Sequence, residues 1–317
     1  MTARVVITGA SSFVGVHLAT VFHRAGWKVV GTHSRDIEAY SGVQADRLGL
    51  LRPEIELRQL DIRDPERSAA LLTGVAPDLW VHHGGYADNY GSIDYDWSMA
   101  SSINVAPLYY LYPAFAASGT RVIITGSSAE YSDCDDAAKE DDACLPTMPY
   151  GLSKLSETLC ARQLSRHYGV PTRVARLFIP FGAYDNPDKL IATVISSLKA
   201  GVATDLSSCN QTRDFIGIGD VCTGYLRIAE NMGKEEFDIY NLSSGKATEL
   251  RALLLEIAES VGASPTLLNF GTRAMRPGEP EISYGDNSKA RADFEWSVRP
   301  LPGALRDDLL DPKPLFA

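Results

Sequence analysis

For its first 180 residues the chain repeats one pattern, a short run of β-branched and apolar residues followed by a longer stretch with helical spacing. The strands expected from these runs are Arg4 to Thr8, Lys28 to Thr32, Ile55 to Leu60, Leu79 to His82, Arg121 to Thr125 and Thr172 to Leu177, with helices filling most of the gaps. A helix between successive strands forces them parallel and covers the sheet on both faces. The expected class is therefore α/β with a parallel sheet; alternation does not give the strand order, but a glycine-rich turn after the first strand favours a Rossmann-type doubly wound sheet. Beyond about residue 180 the runs shorten and Gly182, Pro187 and Gly201 interrupt them, so a smaller C-terminal α/β lobe is expected over 181–317, which the resemblance given below implies is mainly the substrate lobe. The segment Thr212 to Ile228 reads as a return towards the first lobe, which places a returning stretch near 212–245.

Thr8-Gly9-Ala10-Ser11-Ser12-Phe13-Val14-Gly15 lies between the first expected strand and an apolar helix carrying Val16, Leu18, Ala19, Val21 and Phe22. A phosphate pair needs backbone N–H groups at close range and the positive end of a helix, and glycines permit both the turn and the approach. The end of the second strand, His33-Ser34-Arg35, is basic and hydroxylic, which suits the 2′-phosphate of NADP. Asp36 beside it keeps NAD open as the second choice.

Tyr150-Gly151-Leu152-Ser153-Lys154 begins a stretch in which Leu152, Leu155, Leu159 and Leu164 have helical spacing, and a helix over 149–168 puts Tyr150 and Lys154 on one face. A phenol ordinarily ionises near ~10, too high for acid-base work at neutral pH. An adjacent ammonium and an oxidised nicotinamide both favour phenolate and bring it towards the working range.

Taken in this order, the motifs resemble the short-chain dehydrogenase/reductase superfamily and, within it, the extended subgroup of the NAD-dependent epimerase/dehydratase family. The turn is similar to TGxxGxxG with Ser12 at the middle glycine, so Gly9, Ser11, Ser12, Phe13, Val14 and Gly15 are implied to lie against the cofactor. Ser12 either weakens that contact or adds a hydroxyl to it. Asp61-Ile62 resembles the pair that touches adenine, and Pro77 to Gly85 resembles PDxVIHxAA, placing His83, Gly84 and Gly85 along the cofactor. The resemblance makes Tyr150 the acid-base residue, gives Lys154 a hydrogen bond to the nicotinamide ribose, and assigns the third role to the hydroxyl four residues before Tyr131. That residue is Ser127, with Ser128 in reserve and otherwise a substrate contact. Asn104 resembles the asparagine that braces the site.

Later segments resemble the parts of the extended subgroup that hold a nucleotide-sugar. Ala175 to Gly182 is similar to LRxFNxYGP with Ile179 in place of asparagine. Arg213-Asp214-Phe215 and Arg276-Pro277-Gly278-Glu279 supply two arginines that the resemblance implies clamp the substrate diphosphate, for which a planar, permanently charged fork is suited. A homodimer packed through helices near Asn104 to Ala117 and Tyr150 to Tyr168 is implied as well.

Ser128 and Ala129 stand where 4,6-dehydratases of this group carry an Asp-Glu pair, and Ala129 stands where the 3,5-epimerising enzymes carry cysteine, so the resemblance disfavours both reactions. Hydride transfer alone remains. The expected reaction is reduction of a 4-keto (6-deoxy) nucleotide-sugar with Tyr150 as general acid. A 4-epimerase with retained NAD uses the same parts, and a non-catalytic NADP-binding regulatory subunit is the reading from another class.

The net charge of -10 disfavours nucleic acid as a partner. Cys134, Cys144, Cys160, Cys209 and Cys222 are scattered without a CxxC pair, so neither a disulfide framework nor a metal site is expected. No segment has the ~18 apolar residues of a membrane helix, and no leader is seen, so the expectation is a soluble, cytoplasmic protein.

Overall fold

The computed structural model describes residues 2–131, 136–233, 236–275 and 280–316. Its centre is a seven-stranded parallel sheet. Along the chain, β1 (Arg4–Ile7) leads through helix α1 (Phe13–Arg24) to β2 (Lys28–His33), and then through α2 (Gly42–Leu51) to β3 (Glu56–Gln59). Helix α3 (Pro65–Val75), β4 (Leu79–His82), α4 (Trp97–Ala100), a π-helical turn at Ser101–Val105, α5 (Leu108–Ser118) and β5 (Arg121–Ser127) follow. Helix α6 (Pro149–Tyr168) and β6 (Thr172–Leu177) complete this half.

After β7 (Ile179–Phe181) come α7 (Leu190–Lys199), β8 (Thr204–Leu206), β9 (Thr212–Arg213), β10 (Phe215–Gly217), α8 (Ile218–Asn231) and β11 (Phe237–Leu242). The remaining principal elements are β12 (Thr248–Glu249), α9 (Leu250–Ser260), β13 (Leu268–Phe270) and β14 (Ile282–Ser283).

The order in the large sheet is β11-β6-β5-β4-β1-β2-β3. Successive strands are added outward in one direction from β1 and in the other from β4, so the chain reverses between these two neighbours. Such a switch point opens a crevice at the carboxyl ends of the strands. One face is covered by α1 and α8, where Val16, Leu18, Phe22, Tyr225 and Ile228 share a core with Val5, Ile7 and Val81. The other is covered by α3, α5 and α6 through Leu72, Leu111, Phe115, Ala161 and Leu164. Each such side chain, fully withdrawn from water, stabilises the fold by about 1.5–3 kcal/mol.

Helix α6 covers the expected span, starting with Pro149, whose missing N–H costs nothing in a first turn, and stopping at Gly169, which has φ 65°. Of the four leucines with helical spacing, Leu164 is buried in the core, but Leu152 and Leu159 are not. Leu152 is 48% and Leu159 53% exposed, while Gly151, Ser153, Lys154, Glu157, Thr158 and Ala161 are buried. Those leucines lie outward because small and polar residues are what the helix sets against the sheet end.

The small lobe has no large sheet. Strand β7 pairs with β10, β8 with β13, and β9 with β12 and β14. Phe181, Val194, Leu198, Phe215, Leu253 and Ile257 form its core between α7 and α9. The segment Thr212 to Gly217 belongs to these short sheets. From Ile218 onward the chain lies on the large sheet, through α8 and then through β11 paired with β6. No helix of the described residues is long and apolar enough to cross a membrane.

Candidate active site

The turn after β1 is pressed against the end of β4. Gly9 has φ +73°, and a Cβ there would lie 2.7 Å from Gly84 Cα. One at Gly15 would lie 2.1 Å from the Gly9 carbonyl oxygen. Thr8 Oγ1 ties the two segments by accepting from the N–H groups of His83 (2.9 Å) and Gly84 (2.8 Å). Phe13 and Val14 open α1 and are buried in the core beneath it.

Ser12 caps that helix, accepting from Gly15 N at 2.9 Å. It is also hydrogen-bonded to His83 Nε2 at 2.9 Å. The Ser12 hydroxyl is thus engaged inward by Gly15 and His83. From His83 Nδ1 a chain continues to Thr125 Oγ1 at 3.0 Å and on to the Tyr225 hydroxyl at 2.7 Å. Burial, with the Lys154 ammonium adding to it, pulls the His83 imidazole down to about 4, so the ring is neutral at physiological pH.

At the end of β2, His33 is buried and its Nδ1 is 2.7 Å from the Arg35 carbonyl oxygen. The exposed Ser34 and Arg35 donate their backbone N–H groups to the Tyr40 hydroxyl at 3.1 and 3.3 Å. The Arg35 guanidinium lies 4.4 Å over the Tyr40 ring. Burial alone would raise the Tyr40 phenol, but donors from Ser34, Arg35 and Ser11 bring it below its usual value. Asp36 turns its carboxylate into the following turn, where it accepts from Glu38 N at 3.1 Å. Asp61 is likewise occupied, paired with Arg63 at 2.6 Å. The carbonyl of Ile62 accepts from the Tyr110 hydroxyl.

Three elements bring the reactive groups together. Gly151 lets the start of α6 approach the turn after β5, since a Cβ there would lie 2.0 Å from the Ala129 carbonyl oxygen. That approach sets the half-buried Tyr150 beside Ser127, whose hydroxyl favours the phenolate, as does Lys154. Burial nevertheless dominates, with Glu157 and Glu130 adding to it, and holds the Tyr150 phenol above its ordinary value.

Ser127 is oriented by a capping box: its Oγ accepts from Ala129 N at 3.2 Å, and Glu130 accepts from Ser127 N at 2.8 Å. Glu130 is wholly buried and paired with Arg176 at 3.0 Å. Ser128 starts the short helical turn that follows, and it is the Ser127 hydroxyl that interacts with the phenol. Asn104 is no surface amide. It is fully buried, donating to Ser153 Oγ at 2.9 Å and accepting from Tyr86 N at 2.8 Å, and a Cβ on Gly85 would lie 3.0 Å from its Oδ1. Tyr90 and Tyr95 lie edge-on to Tyr150 at 5.8 and 5.9 Å between centroids.

On the lobe side, Arg213 is buried and its Nη1 donates to the Thr212 carbonyl at 2.8 Å. Asp214 accepts from three backbone N–H groups, those of Ser244 (2.6 Å), Gly245 (3.1 Å) and Gly285 (3.3 Å). Arg276 lies outside the described residues.

The sequence reading missed three residues at this site. Tyr40 reaches back seven positions to the strand end. Arg47, buried on α2, donates to the carbonyls of Ser11 (3.1 Å) and Tyr184 (2.8 Å) and so ties the turn to the loop after β7. Glu157 contacts Lys154 below the phenol. Only Glu157 left a sequence signal, three positions beyond Lys154 on the same helix face.

The family model for the NAD dependent epimerase/dehydratase family matches residues 5–243. The chain is 25% identical over 333 residues to UDP-glucose 4-epimerase 4 of Oryza sativa subsp. japonica, with 93% of this chain and 86% of that protein covered. It is 27% identical over 311 residues to GDP-6-deoxy-D-mannose reductase of Pseudomonas aeruginosa, covering 93% and 92%. Among solved structures, a UDP-glucuronic acid 4-epimerase from Bacillus cereus in complex with UDP-glucuronic acid and NAD superposes with a TM-score of 0.83 at 21% identity, covering 96% and 97% of the two chains. A dTDP-glucose 4,6-dehydratase from Streptomyces venezuelae with NAD bound gives 0.82 at 24%, covering 96% of each. These two likenesses establish the shared fold.

Proposed function

The chain belongs to the NAD dependent epimerase/dehydratase family, and on that premise we propose that it reduces a 4-keto (6-deoxy) nucleotide-sugar, with Tyr150 as the proton donor. Gly9, Gly15 and Gly84 press the turn, the start of α1 and the end of β4 together backbone to backbone, which fits the tight glycine turn at a helix N-terminus that a dinucleotide's phosphates need. Bound there, the reduced nicotinamide supplies hydride to the keto carbon. Ser127 holds the sugar oxygen, Tyr150 hands it a proton, and Lys154 steadies the charge left on the phenol. Arg213, and Arg276 with it, hold the diphosphate.

The observation that carries the reading is geometric: Gly151 lets the start of α6 close on the turn after β5, so that Tyr150 stands beside Ser127 with Lys154 one turn along the same helix. A 4-epimerase would use the same three residues, and it is the basic end of β2, suited to an exchangeable NADPH, that favours the reductase. The relative named as a GDP-6-deoxy-D-mannose reductase supports the same reaction class. For NADP speaks the β2 end, where Asp36 is occupied in its own turn while Ser34, Arg35 and the Tyr40 hydroxyl stand together. We read the assembly as a homodimer. Tyr109 on α5 (53% exposed) and Leu152 and Leu159 on α6 leave an apolar outer face on two adjoining helices.

The test is to supply a 4-keto-6-deoxy nucleotide-sugar with NADPH and follow absorbance at 340 nm. One NADPH consumed per sugar is the expected result. Epimer interconversion without net consumption, using retained NAD, would overturn it in favour of a 4-epimerase.

A further inference from the structure

Beneath the proposed proton donor lies a buried carboxylate to which the chemistry above gives no task. Glu157 is 2% exposed, one helical turn below Lys154 on the inward face of α6, and its Oε2 contacts the Lys154 ammonium. Its other oxygen is 3.8 Å from His82 Nε2. His82 is 1% exposed, and its Nδ1 accepts from Trp80 Nε1 at 3.3 Å, so the neutral ring carries its proton on Nε2. That N–H makes no hydrogen bond among the described residues, and the Glu157 carboxylate is the charge it faces. The carboxylate is thus set between an ammonium and a ring N–H, with no water-facing side.

We propose that Glu157 is a positioning residue that holds Lys154 charged and in place, while its own negative charge offsets the pull of that ammonium on Tyr150 and leaves the proton on the phenol until the substrate takes it. The proposal rests on Tyr150 being the donor. Among the described residues, six groups make up the electrostatic surroundings of Glu157: Lys154 and Tyr150 on α6, His82 on β4, Glu130 after β5, Tyr112 on α5 and Tyr225 on α8. Burial keeps Tyr112 and Tyr225 as neutral phenols and, joined by Lys154, holds His82 down at about 3. Glu130 is already paired with Arg176. Lys154 and Tyr150 are therefore the pair that answers to Glu157.

Burial would strip the charge from Lys154, but Glu157 and Tyr150 outweigh it and the ammonium titrates above its usual value. Burial also pushes the Glu157 carboxyl up to about 7, against the pull of Lys154. Removing one negative charge from this surround must lower the pH at which the Tyr150–Lys154 pair loses its first proton, whichever of the two releases it.

The experiment compares the native protein with Glu157→Gln and Glu157→Asp, all carrying ring-labelled 13C-tyrosine. The Tyr150 signal is assigned by its loss in Tyr150→Phe, and its titration is followed without substrate or cofactor. In Glu157→Gln the Tyr150 midpoint should move down by about one pH unit or more, and the basic limb of turnover should move with it. Glu157→Asp, which keeps the charge, should stay near the native position. Equal midpoints in the native and Gln proteins would overturn the proposal, as would equal shifts in Gln and Asp, which would mark a packing role. Should the Gln variant not fold, 13C-carboxyl spectra of the native protein decide: a protonated Glu157 at pH 8.5 would sink the idea. Failure to reduce any keto sugar leaves the tyrosine titration readable, so the two readings fail separately.

Discussion

The large sheet and the small lobe prepare for ligands by different means. At the sheet ends, contact is made by backbone: Gly9 against Gly84, Gly15 under the Gly9 carbonyl, and Gly151 under that of Ala129. In the lobe the ties are charged: Asp214, between β9 and β10, collects three N–H groups, and Arg299 bridges Asp220, at the start of α8, and Asp308 at 2.9 and 2.7 Å. A backbone contact tolerates almost no added atom but is indifferent to pH. A buried charge tolerates changes of shape and answers to pH. The two halves should therefore fail differently when altered.

The largest effect should come at the seam between them. Tyr150→Phe removes one oxygen from the start of α6 and leaves the glycine contacts untouched. Turnover should fall by roughly 10²–10⁴, while cofactor affinity measured by fluorescence titration stays within about twofold. Unchanged turnover would remove the tyrosine mechanism, and a protein with no turnover to lose would favour a cofactor-binding regulatory subunit. Next in size is Gly9→Ala. The left-handed backbone costs a non-glycine residue roughly 1 kcal/mol, and the Cβ placed 2.7 Å from Gly84 Cα adds about 1–3 kcal/mol of overpacking. Cofactor affinity and melting temperature should fall together; a drop in stability with affinity intact would mean that the turn does not carry the cofactor.

The same contrast explains what could be read from the residues alone. Strand and helix periods disclose elements of the length of Thr172–Leu177 or α6, because many side chains repeat the signal. They also place Tyr150 and Lys154 on one face. A two-residue strand such as Thr212–Arg213 repeats nothing, and its pairing depends on partners more than thirty residues away, Thr248 and Ile282. Tyr40 returns to the β2 end through a loop, and Arg47 joins the turn to Tyr184 across 137 positions. Leu152 and Leu159 carry helical spacing yet face outward, because period alone does not say which apolar stripe meets the core.

Asp214→Asn probes the lobe and should have the smallest of these effects. The wild-type oxygens divide the work, Oδ1 accepting from Ser244 and Oδ2 from Gly245 and Gly285. An amide has one acceptor oxygen, so at least one N–H must face an NH2 group, at a cost of about 1–3 kcal/mol. The loss is moderated because burial already raises the Asp214 carboxyl, against the lowering by those N–H groups. A carboxyl raised in the fold binds its proton more tightly there than in the unfolded chain. Its contribution to stability is full below the unfolded value and is lost as pH rises through the folded one. Denaturant melts across that interval should show native stability falling with rising pH, and the Asn variant should lack that slope while keeping native cofactor affinity. A weakened cofactor in Asp214→Asn would break the division between the two halves, because the change would then have been felt at the sheet ends.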